Sequence, residues 1–239
     1  MNLNRTLLTT ALLTVLATTS VFAARGPNQS GTGDPGTCVN CVATPVDEQE
    51  AATLTFMREE EKLARDIYRE AAALWTSSLF ANIANSEQQH MDAVLKMLNK
   101  YGLPDPVAAA GDLPGWFSDP ELQQLYDDLA KQSANSLMDA LLAGALIEEV
   151  DIEDNQNALD ATDNLDLQQL YGNLLRGSRN HLRAFVGEIE RLGVVYEAQH
   201  LEQEEVDTIV NSPVERGGSG NRGDSGGNDD NGGNSGSRR

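Results

Sequence analysis

Two stretches of the sequence repeat apolar residues at alternating spacings of three and four, and charged residues interrupt both patterns near their middle. This spacing is the period of one face of an α-helix, so both stretches are predicted to be amphipathic helices whose apolar faces meet a core. Glu61 interrupts the first face, and Glu87 and His90 interrupt the second. The two faces consist of Leu54, Met57, Glu61, Ala64, Tyr68, Ala71 and Trp75, and of Phe80, Ile83, Glu87, His90, Val94, Met97 and Tyr101.

The three interrupting residues are predicted to lie at one depth between the two helices. A short turn at residues 76–78 joins the helices, so residues equally far from this turn lie side by side. Counted from residue 76, Glu61 lies 15 residues before the turn, and Glu87 and His90 lie 11 and 14 residues after it. A buried carboxylate is costly unless it is paired or binds a metal ion. These positions therefore require a compensating group.

A second pair of helices is predicted to bring further polar groups to a similar depth. Glu148 interrupts the apolar face of the third main helix, and His181 interrupts that of the fourth. Glu149 fits a face that is almost as apolar and is an alternate for Glu148, while Asp151 lies one turn further along and faces the same space. His181 has a second interpretation, as a core histidine that is hydrogen-bonded to a carbonyl oxygen. The two faces consist of Met138, Leu141, Ala145, Glu148 and Ile152, and of Leu167, Leu170, Leu174, Gly177, His181 and Ala184.

These residue types predict a metal site. A spacing of three places Glu87 and His90 on one helix face, about 4.5 Å apart along the axis. Imidazole and carboxylate ligands suit iron, manganese or zinc better than calcium. Four carboxylates, including Asp151, would balance two divalent ions, so we predict two ions, with a single ion as the alternative. A Glu-x-x-His pair by itself is weak evidence for a metal site, because most such pairs on acidic helices are solvated.

The remaining pattern predicts an all-α protein with a four-helix bundle. The main helices are predicted at about residues 48–75, 77–101, 135–154 and 164–192, the last of them capped by Asp163. Residues 103–119 are irregular and form a long crossover, which Ser118 or Asp119 ends by capping a short helix. A small helix is predicted at residues 201–210, and His200 before it is expected at the surface.

The two ends of the chain have different compositions from the bundle, which is predicted to span residues 47–212. Residues 1–23 have the features of a secretory signal peptide, and a membrane anchor is the alternative, although an apolar run of 11 residues rises only about 16 Å. We therefore expect an exported protein, periplasmic or extracellular. Residues 24–46 are predicted to be a flexible linker, in which Cys38 and Cys41 are expected to form a short-loop disulfide. Residues 213–239 are predicted to be a disordered tail.

The charge of the chain excludes one class of partner. The formal net charge is -20, so nucleic acid is not expected to bind. No segment after the signal peptide is apolar for long enough to span a membrane. We expect a monomer or a dimer, with metal ions and a small oxidant as the ligands.

Three segments resemble known families. Glu61, followed by Ala64-Arg65 and Tyr68, resembles the first metal helix of rubrerythrin-like proteins, and Glu87-Gln-Gln-His90 resembles the second-helix motif of the ferritin-like superfamily. More closely, residues 59–66, 86–91 and 175–182 resemble an uncharacterised family of bacteria and archaea, the domain of unknown function 2202.

The resemblance implies a ferritin-like antiparallel bundle. It also implies metal ligation by Glu61, Glu87, His90, an acidic residue of the third helix and His181. In the ferritin-like pattern the fourth helix carries Glu-x-x-His, and here Ser178 occupies the first of those positions. One carboxylate ligand is therefore missing, which puts oxygen activation in doubt more than metal binding.

We therefore expect a non-haem iron or manganese protein that acts on dioxygen, peroxide or Fe(II). Tyr68 is expected to hydrogen-bond a ligand or relay an electron, and Arg65 and Arg179 are expected to hold carboxylates in place. Neither a catalytic residue nor an organic cofactor site is predicted. Two alternatives stay open: a protein that sequesters or delivers metal without turnover, and a structural bundle with a buried polar network.

Overall fold

The structure is a computed structural model, and it describes residues 45–217 of the chain. Seven helices lie within these residues. No strand occurs between these residues, so the prediction of an all-α protein is confirmed. The four long helices and three shorter ones form a helical bundle. The helices are α1 Glu48–Trp75, α2 Ser78–Tyr101, α3 Pro106–Ala109, α4 Pro120–Ser133, α5 Leu137–Ala161, α6 Leu165–Arg191 and α7 Gln203–Asn211.

The long helices pack as two hairpins, α1 with α2 and α5 with α6. The α1–α2 turn is only two residues long, and Thr76 adopts a left-handed conformation (φ 49°) that reverses the chain. Asp47 and Glu50 form a capping box at the start of α1, which satisfies backbone N–H groups that have no partner within the helix. The hairpins then join through α1 against α5 and α2 against α6, so four helices surround the interior.

The predicted ends of the second hairpin were wrong in two places. Helix α5 continues to Ala161 rather than ending near residue 154. It continues because Asn155 is buried and donates a hydrogen bond to the carbonyl oxygen of Asp151 (2.8 Å), while the exposed polar residues beyond it lie on the solvent face. The cap of α6 is Asn164 rather than Asp163, since the Asn164 side chain accepts from the backbone N–H of Asp166 (3.1 Å).

Helix α1 is surrounded on all sides over three turns. Every residue from Met57 to Tyr68 is buried, including the charged ones, whereas the sequence pattern places only Glu61 among the charged residues of the core face. The face of α1 that turns away from α2 and α5 is covered by the crossover, which includes α3 and α4. The crossover therefore converts an amphipathic helix into a central one.

Charged residues of α1 bind the crossover directly. Arg58 makes two hydrogen bonds to the carboxylate of Asp105, both 3.1 Å long. Glu59 accepts hydrogen bonds from the hydroxyl and the backbone N–H of Ser118, each 2.7 Å long. Buried charges are tolerated when they are paired and fully hydrogen-bonded, so these contacts explain why the charges can be buried.

Lys62 is the most deeply enclosed of these charges. Its Nζ lies 2.6 Å from Oδ2 of Asp66 and 2.8 Å from the carbonyl oxygen of Leu113. The same ammonium group also lies 4.3 Å from the centre of the Phe117 ring, a cation–π contact. Lys62 thus ties the middle of α1 to the irregular part of the crossover.

The predicted signal peptide and the Cys38–Cys41 pair lie outside the described residues. Residues 213–217, which the composition assigns to the tail, lie along α6, where Glu215 accepts hydrogen bonds from Arg179 and Arg183. No helix within residues 45–217 combines the length and hydropathy that a membrane span needs.

Candidate metal centre

Glu87 lies at the centre of a cluster of carboxylates and imidazoles inside the bundle. Its Oε2 is 2.7 Å from Nδ1 of His90, one helical turn further along α2. Its Oε1 is 2.8 Å from Nδ1 of His181 on α6. The carboxylate is almost completely enclosed, with 1% of the residue exposed. One carboxylate therefore lies between two imidazoles from different hairpins.

Each imidazole has a second carboxylate beside it. Oε2 of Glu61 on α1 lies 3.1 Å from Nδ1 of His90, and Oε2 of Glu148 on α5 lies 3.4 Å from Nδ1 of His181. The cluster therefore consists of two groups, which we name the His90 group (Glu61, Glu87, His90) and the His181 group (Glu87, Glu148, His181). In each group the possible ligand atoms lie within 4.8 Å of one another.

Several of these atoms are close together without being hydrogen-bonded. Both oxygens of Glu87, Oε2 of Glu148 and Nδ1 of His181 are buried and have no hydrogen-bond partner. The short distances from Glu87 to the imidazoles therefore do not have hydrogen-bond angles. Buried polar atoms are paired in the great majority of cases. Carboxylate oxygens and imidazole nitrogens that face one space are the donor types that can bind a metal ion preferring nitrogen and oxygen ligands.

Two hydroxyl groups hold the His181 group in place. The Tyr68 hydroxyl donates to Oε1 of Glu148 (2.7 Å), which leaves Oε2 of Glu148 facing His181. The Ser86 hydroxyl lies 3.0 Å from Nε2 of His181. A hydrogen bond at one imidazole nitrogen fixes which nitrogen is free to bind a metal. Sequence reasoning missed Ser86, although its position directly before Glu87 was the available signal.

The charges of the cluster shift one another's pKa values. Burial raises the pKa of Glu61 to about 7, although His90 opposes the shift. Burial disfavours the charged form of His181, but Glu87 and Glu148 outweigh it and raise the pKa of His181 to about 10. Burial also disfavours ionised Glu87, but His181 and His90 outweigh it and hold its pKa well below the usual range. The cluster thus favours an ionised Glu87 at its centre.

Asp151 lies beside the cluster but belongs to neither group. It is buried, and its Oδ2 has no hydrogen-bond partner. Burial, together with the nearby carboxylates of Glu60 and Glu61, raises its pKa well above the usual range. Burial and Asp154 raise the pKa of Glu60 in the same direction. Asp151 therefore links the cluster to a second set of acids with raised pKa values, Glu60 and Asp154, that the sequence pattern did not indicate.

Comparison with known sequences identifies the family. The uncharacterized protein domain DUF2202 matches residues 50–213. This range includes the His90 group, the His181 group, α1 from its third residue and all of the other six helices. The chain belongs to the DUF2202 family.

A protein similar to this chain has a solved structure. The chain is 46% identical over 173 residues to the uncharacterized protein MJ0754 of Methanocaldococcus jannaschii, a match that covers 72% of this chain and 92% of the relative. It is also similar to the crystal structure of the hypothetical protein MJ0754, with a TM-score of 0.69, 45% identity, and coverage of 72% of this chain and 97% of that one. This similarity is high enough to show a shared fold.

The carboxylate of Glu149 lies away from the cluster. Glu148, the predicted site residue, and Glu149, its alternate, are both fully buried. The Glu149 carboxylate accepts hydrogen bonds from the hydroxyl of Tyr196 and from the backbone N–H groups of Gln199, His200 and Leu201. Glu149 therefore fastens the segment before α7 to α5, and Glu148 is the residue of the pair that faces His181.

The two arginines that were expected to hold carboxylates in place bind carboxylates outside the His90 and His181 groups. Arg65 makes hydrogen bonds to Asp112 (2.6 Å) and Gln88 (2.9 Å). Arg179 makes hydrogen bonds to Glu215 (2.6 and 2.8 Å). Both lie on helix faces that turn toward the crossover or the C-terminal segment, so the carboxylates that they hold belong to those segments.

Ser178 and His200 each have a partner outside the cluster. The buried hydroxyl of Ser178 donates to the carbonyl oxygen of Leu174 in its own helix (3.2 Å). His200, which was expected at the surface, is partly buried and lies 2.6 Å from Oε2 of Glu153. Ser178 therefore does not replace the carboxylate that the ferritin-like pattern has at this position.

Proposed function

We propose that this DUF2202 domain is a ferritin-like bundle that binds two iron or manganese ions, one in the His90 group and one in the His181 group. The observation that carries the proposal is the set of buried, unpaired atoms of Glu87, Glu148 and His181, which face one another within hydrogen-bonding distance but without hydrogen-bond angles. Metal ligation would satisfy all of these atoms at once. Glu87 would be shared between the two ions.

The charge of the cluster supports two ions. Glu61, Glu87, Glu148 and Asp151 are all buried, and as carboxylates they would carry four negative charges. Neutral imidazoles of His90 and His181 add none, so two divalent ions would balance the charge. In this arrangement Asp151 fills the role of the missing carboxylate on α6. Its unpaired Oδ2 is the feature that supports this role.

Side chains around the cluster position its proposed ligands and exclude water from one side of it. Tyr68 holds Glu148 through its hydroxyl, and Ser86 holds the imidazole of His181. Phe80 and Phe185 are fully buried, with ring centres 5.5 Å apart, and the Tyr68 ring packs against both. This aromatic layer keeps one side of the cluster dry. Bound iron or manganese would supply one-electron redox chemistry toward dioxygen or peroxide.

A second candidate function is a structural ion-pair network. The hydrogen-bonding contact of His90 Nδ1 with Glu61 Oε2 (3.1 Å) favours it, because protonated imidazoles between carboxylates stabilise a core without metal. The unpaired atoms of Glu87 argue against it, since a structural network is expected to satisfy its members. A protein that stores or delivers metal without turnover would use the same site as an enzyme.

Elemental analysis separates these functions. Protein purified without chelator, or stripped and then exposed to Fe(II) or Mn(II) without oxygen, is expected to retain two equivalents of metal. Less than a tenth of an equivalent, with no uptake of added Fe(II), would leave only the structural network. Repeated cycles of Fe(II) oxidation by dioxygen or peroxide would distinguish an enzyme from a sequestering protein, which is expected to oxidise no more than it binds.

A further inference from the structure

Gly177 lies on α6 where the helix passes the imidazole of His90. A methyl group added at Gly177 would lie 2.5 Å from Cε1 and 2.5 Å from Nε2 of His90. Atoms do not approach this closely without displacement, so the absence of a side chain at 177 is what lets the ring pack against the α6 backbone. Glycine stabilises a helix interior less than alanine does, so helix formation does not explain why residue 177 is a glycine.

The ring of His90 meets other groups on two further sides, and 13% of its side chain is exposed. On its Nδ1 side it meets Glu87 at 2.7 Å and Glu61 at 3.1 Å. One ring face stacks on His181, with centres 5.4 Å apart. The imidazole is rigid, so a push from α6 would move Nδ1 relative to both carboxylates. The closeness of the α6 backbone therefore restricts where Nδ1 can lie.

We infer that Gly177 is a positioning residue that orients His90 with Nδ1, rather than Nε2, toward Glu61 and Glu87. The inference rests on the proposed metal-binding function and adds to it the residue that sets one of the two ligand groups. It concerns the His90 group alone, because the Nδ1 atom of His181 is set by Ser86 and by its own contacts with Glu87 and Glu148.

The test is the Gly177→Ala variant, with two matched controls on the same helix. Methyl groups added at Gly172 or Gly187 would meet nothing within 4 Å. In a titration of stripped protein with Mn(II), Gly177→Ala is expected to weaken one of two binding events roughly 10–100-fold, the effect of losing a ligand's support. Gly172→Ala and Gly187→Ala are expected to bind like the parent. Parental affinity at both sites in Gly177→Ala would overturn the inference.

A second readout works without metal. Nitrogen chemical shifts of the imidazoles, measured by NMR in stripped protein, are expected to change for His90 and not for His181 in Gly177→Ala, and for neither in the controls. If the parent binds no metal but this change occurs, the proposed function fails and the positioning role stands. Unchanged His90 shifts would overturn the positioning role.

A double variant covers the case in which Gly177→Ala folds poorly. Removing the ring by His90→Ala removes the clash, so Gly177→Ala is expected to leave the melting temperature of the His90→Ala protein unchanged or higher. An equal loss of stability in both backgrounds would mean that the added methyl group clashes with something other than His90, and would overturn the inference.

Discussion

Oε1 of Glu87 lies 2.8 Å from Nδ1 of His181, yet the two atoms are not aligned for a hydrogen bond. The two residues come from different hairpins, so the folded bundle itself creates this contact. The other oxygen of Glu87 has the same relationship to His90. One carboxylate therefore connects the two proposed ion positions, and this connection leads to tests at the residues around it.

Ser86 is expected to matter for metal binding through His181 alone. Ser86→Ala removes the contact at Nε2 (3.0 Å), which frees the ring to rotate, so the affinity of one of the two sites is expected to fall roughly 10–100-fold. Ser178→Ala is the matched control, because that hydroxyl bonds only to the Leu174 carbonyl oxygen. Calorimetric titration with Mn(II) measures both variants. Equal losses in Ser86→Ala and Ser178→Ala would contradict the role of Ser86.

The Tyr68 hydroxyl is expected to stabilise the bundle as well as the site. Tyr68→Phe leaves Oε1 of Glu148 buried without its donor, and a hydrogen bond to a charged group contributes about 1.5–3 kcal/mol. Denaturant unfolding is expected to show a loss of that size. Tyr171→Phe is the control, since the buried Tyr171 hydroxyl has no partner, and it is expected to leave the free energy of unfolding unchanged or slightly higher. A more stable Tyr68→Phe protein would contradict the assignment.

The metal-free protein is expected to lose stability as the pH rises from about 5 to 8.5. Glu61, with its pKa raised to about 7, keeps a proton that the unfolded chain has lost above its ordinary value of 4.5. His181, with its pKa raised to about 10, likewise stays protonated above its ordinary value of 6.5. In both ranges the native state binds more protons, so the free energy of unfolding falls with pH. Glu87 acts in the opposite direction only below its ordinary value of 4.5.

Melting temperatures of chelator-treated protein between pH 5 and 8.5 measure this effect. Mn(II) is expected to raise the melting temperature more at pH 8 than at pH 5.5, because ligands must lose their protons to bind metal.

Glu60→Gln is expected to flatten the pH dependence of the melting temperature, since burial raises the pKa of Glu60 well above its usual range. Glu190→Gln makes the same charge change at an exposed position and is expected to have no such effect. Stability that rises with pH in metal-free protein would contradict the account.

Lys62 is expected to be essential for stability and not for metal ligation. Lys62→Met removes one of the two cations beside the buried Asp66 carboxylate, which Arg65 still pairs at 2.8 Å, and a hydrogen bond to a charged group contributes about 1.5–3 kcal/mol. Lys96→Met, at an exposed position of α2, is expected to change the free energy of unfolding by less than about 0.5 kcal/mol. Denaturant unfolding compares the two. A loss in Lys62→Met no larger than that in Lys96→Met would show that the crossover contact contributes little.

The sequence was sufficient to predict the long helices and the closeness of Glu61, Glu87 and His90, because both depend on a regular spacing. Glu61, Glu87 and His90 interrupt otherwise unbroken apolar faces, and the short turn between α1 and α2 sets their relative depth. The relative depth of residues on two helices that a short turn joins can be obtained by counting residues from that turn. His181 also lies in the cluster, as its place on the apolar face of α6 predicts.

The sequence was insufficient where a remote segment covers a second face. The burial of Glu149 depends on backbone N–H groups at residues 199–201, and the burial of Lys62 depends on carbonyl oxygens of the crossover. Neither partner leaves a periodic signal, because irregular backbone supplies the contacts. Gly177 was part of the predicted face of α6, but its closeness to His90 follows only from the packing of α2 against α6.

The central claim, that Glu87 is shared by two ions, is tested most directly by the metal content of single variants. Stripped protein is dialysed against Mn(II) or, without oxygen, against Fe(II), and the retained metal is measured by elemental analysis. The parent and Glu190→Gln are expected to retain two equivalents, Glu61→Gln one equivalent, and Glu87→Gln none. Two equivalents retained by Glu87→Gln, or less than a tenth of an equivalent retained by the parent, would contradict the claim.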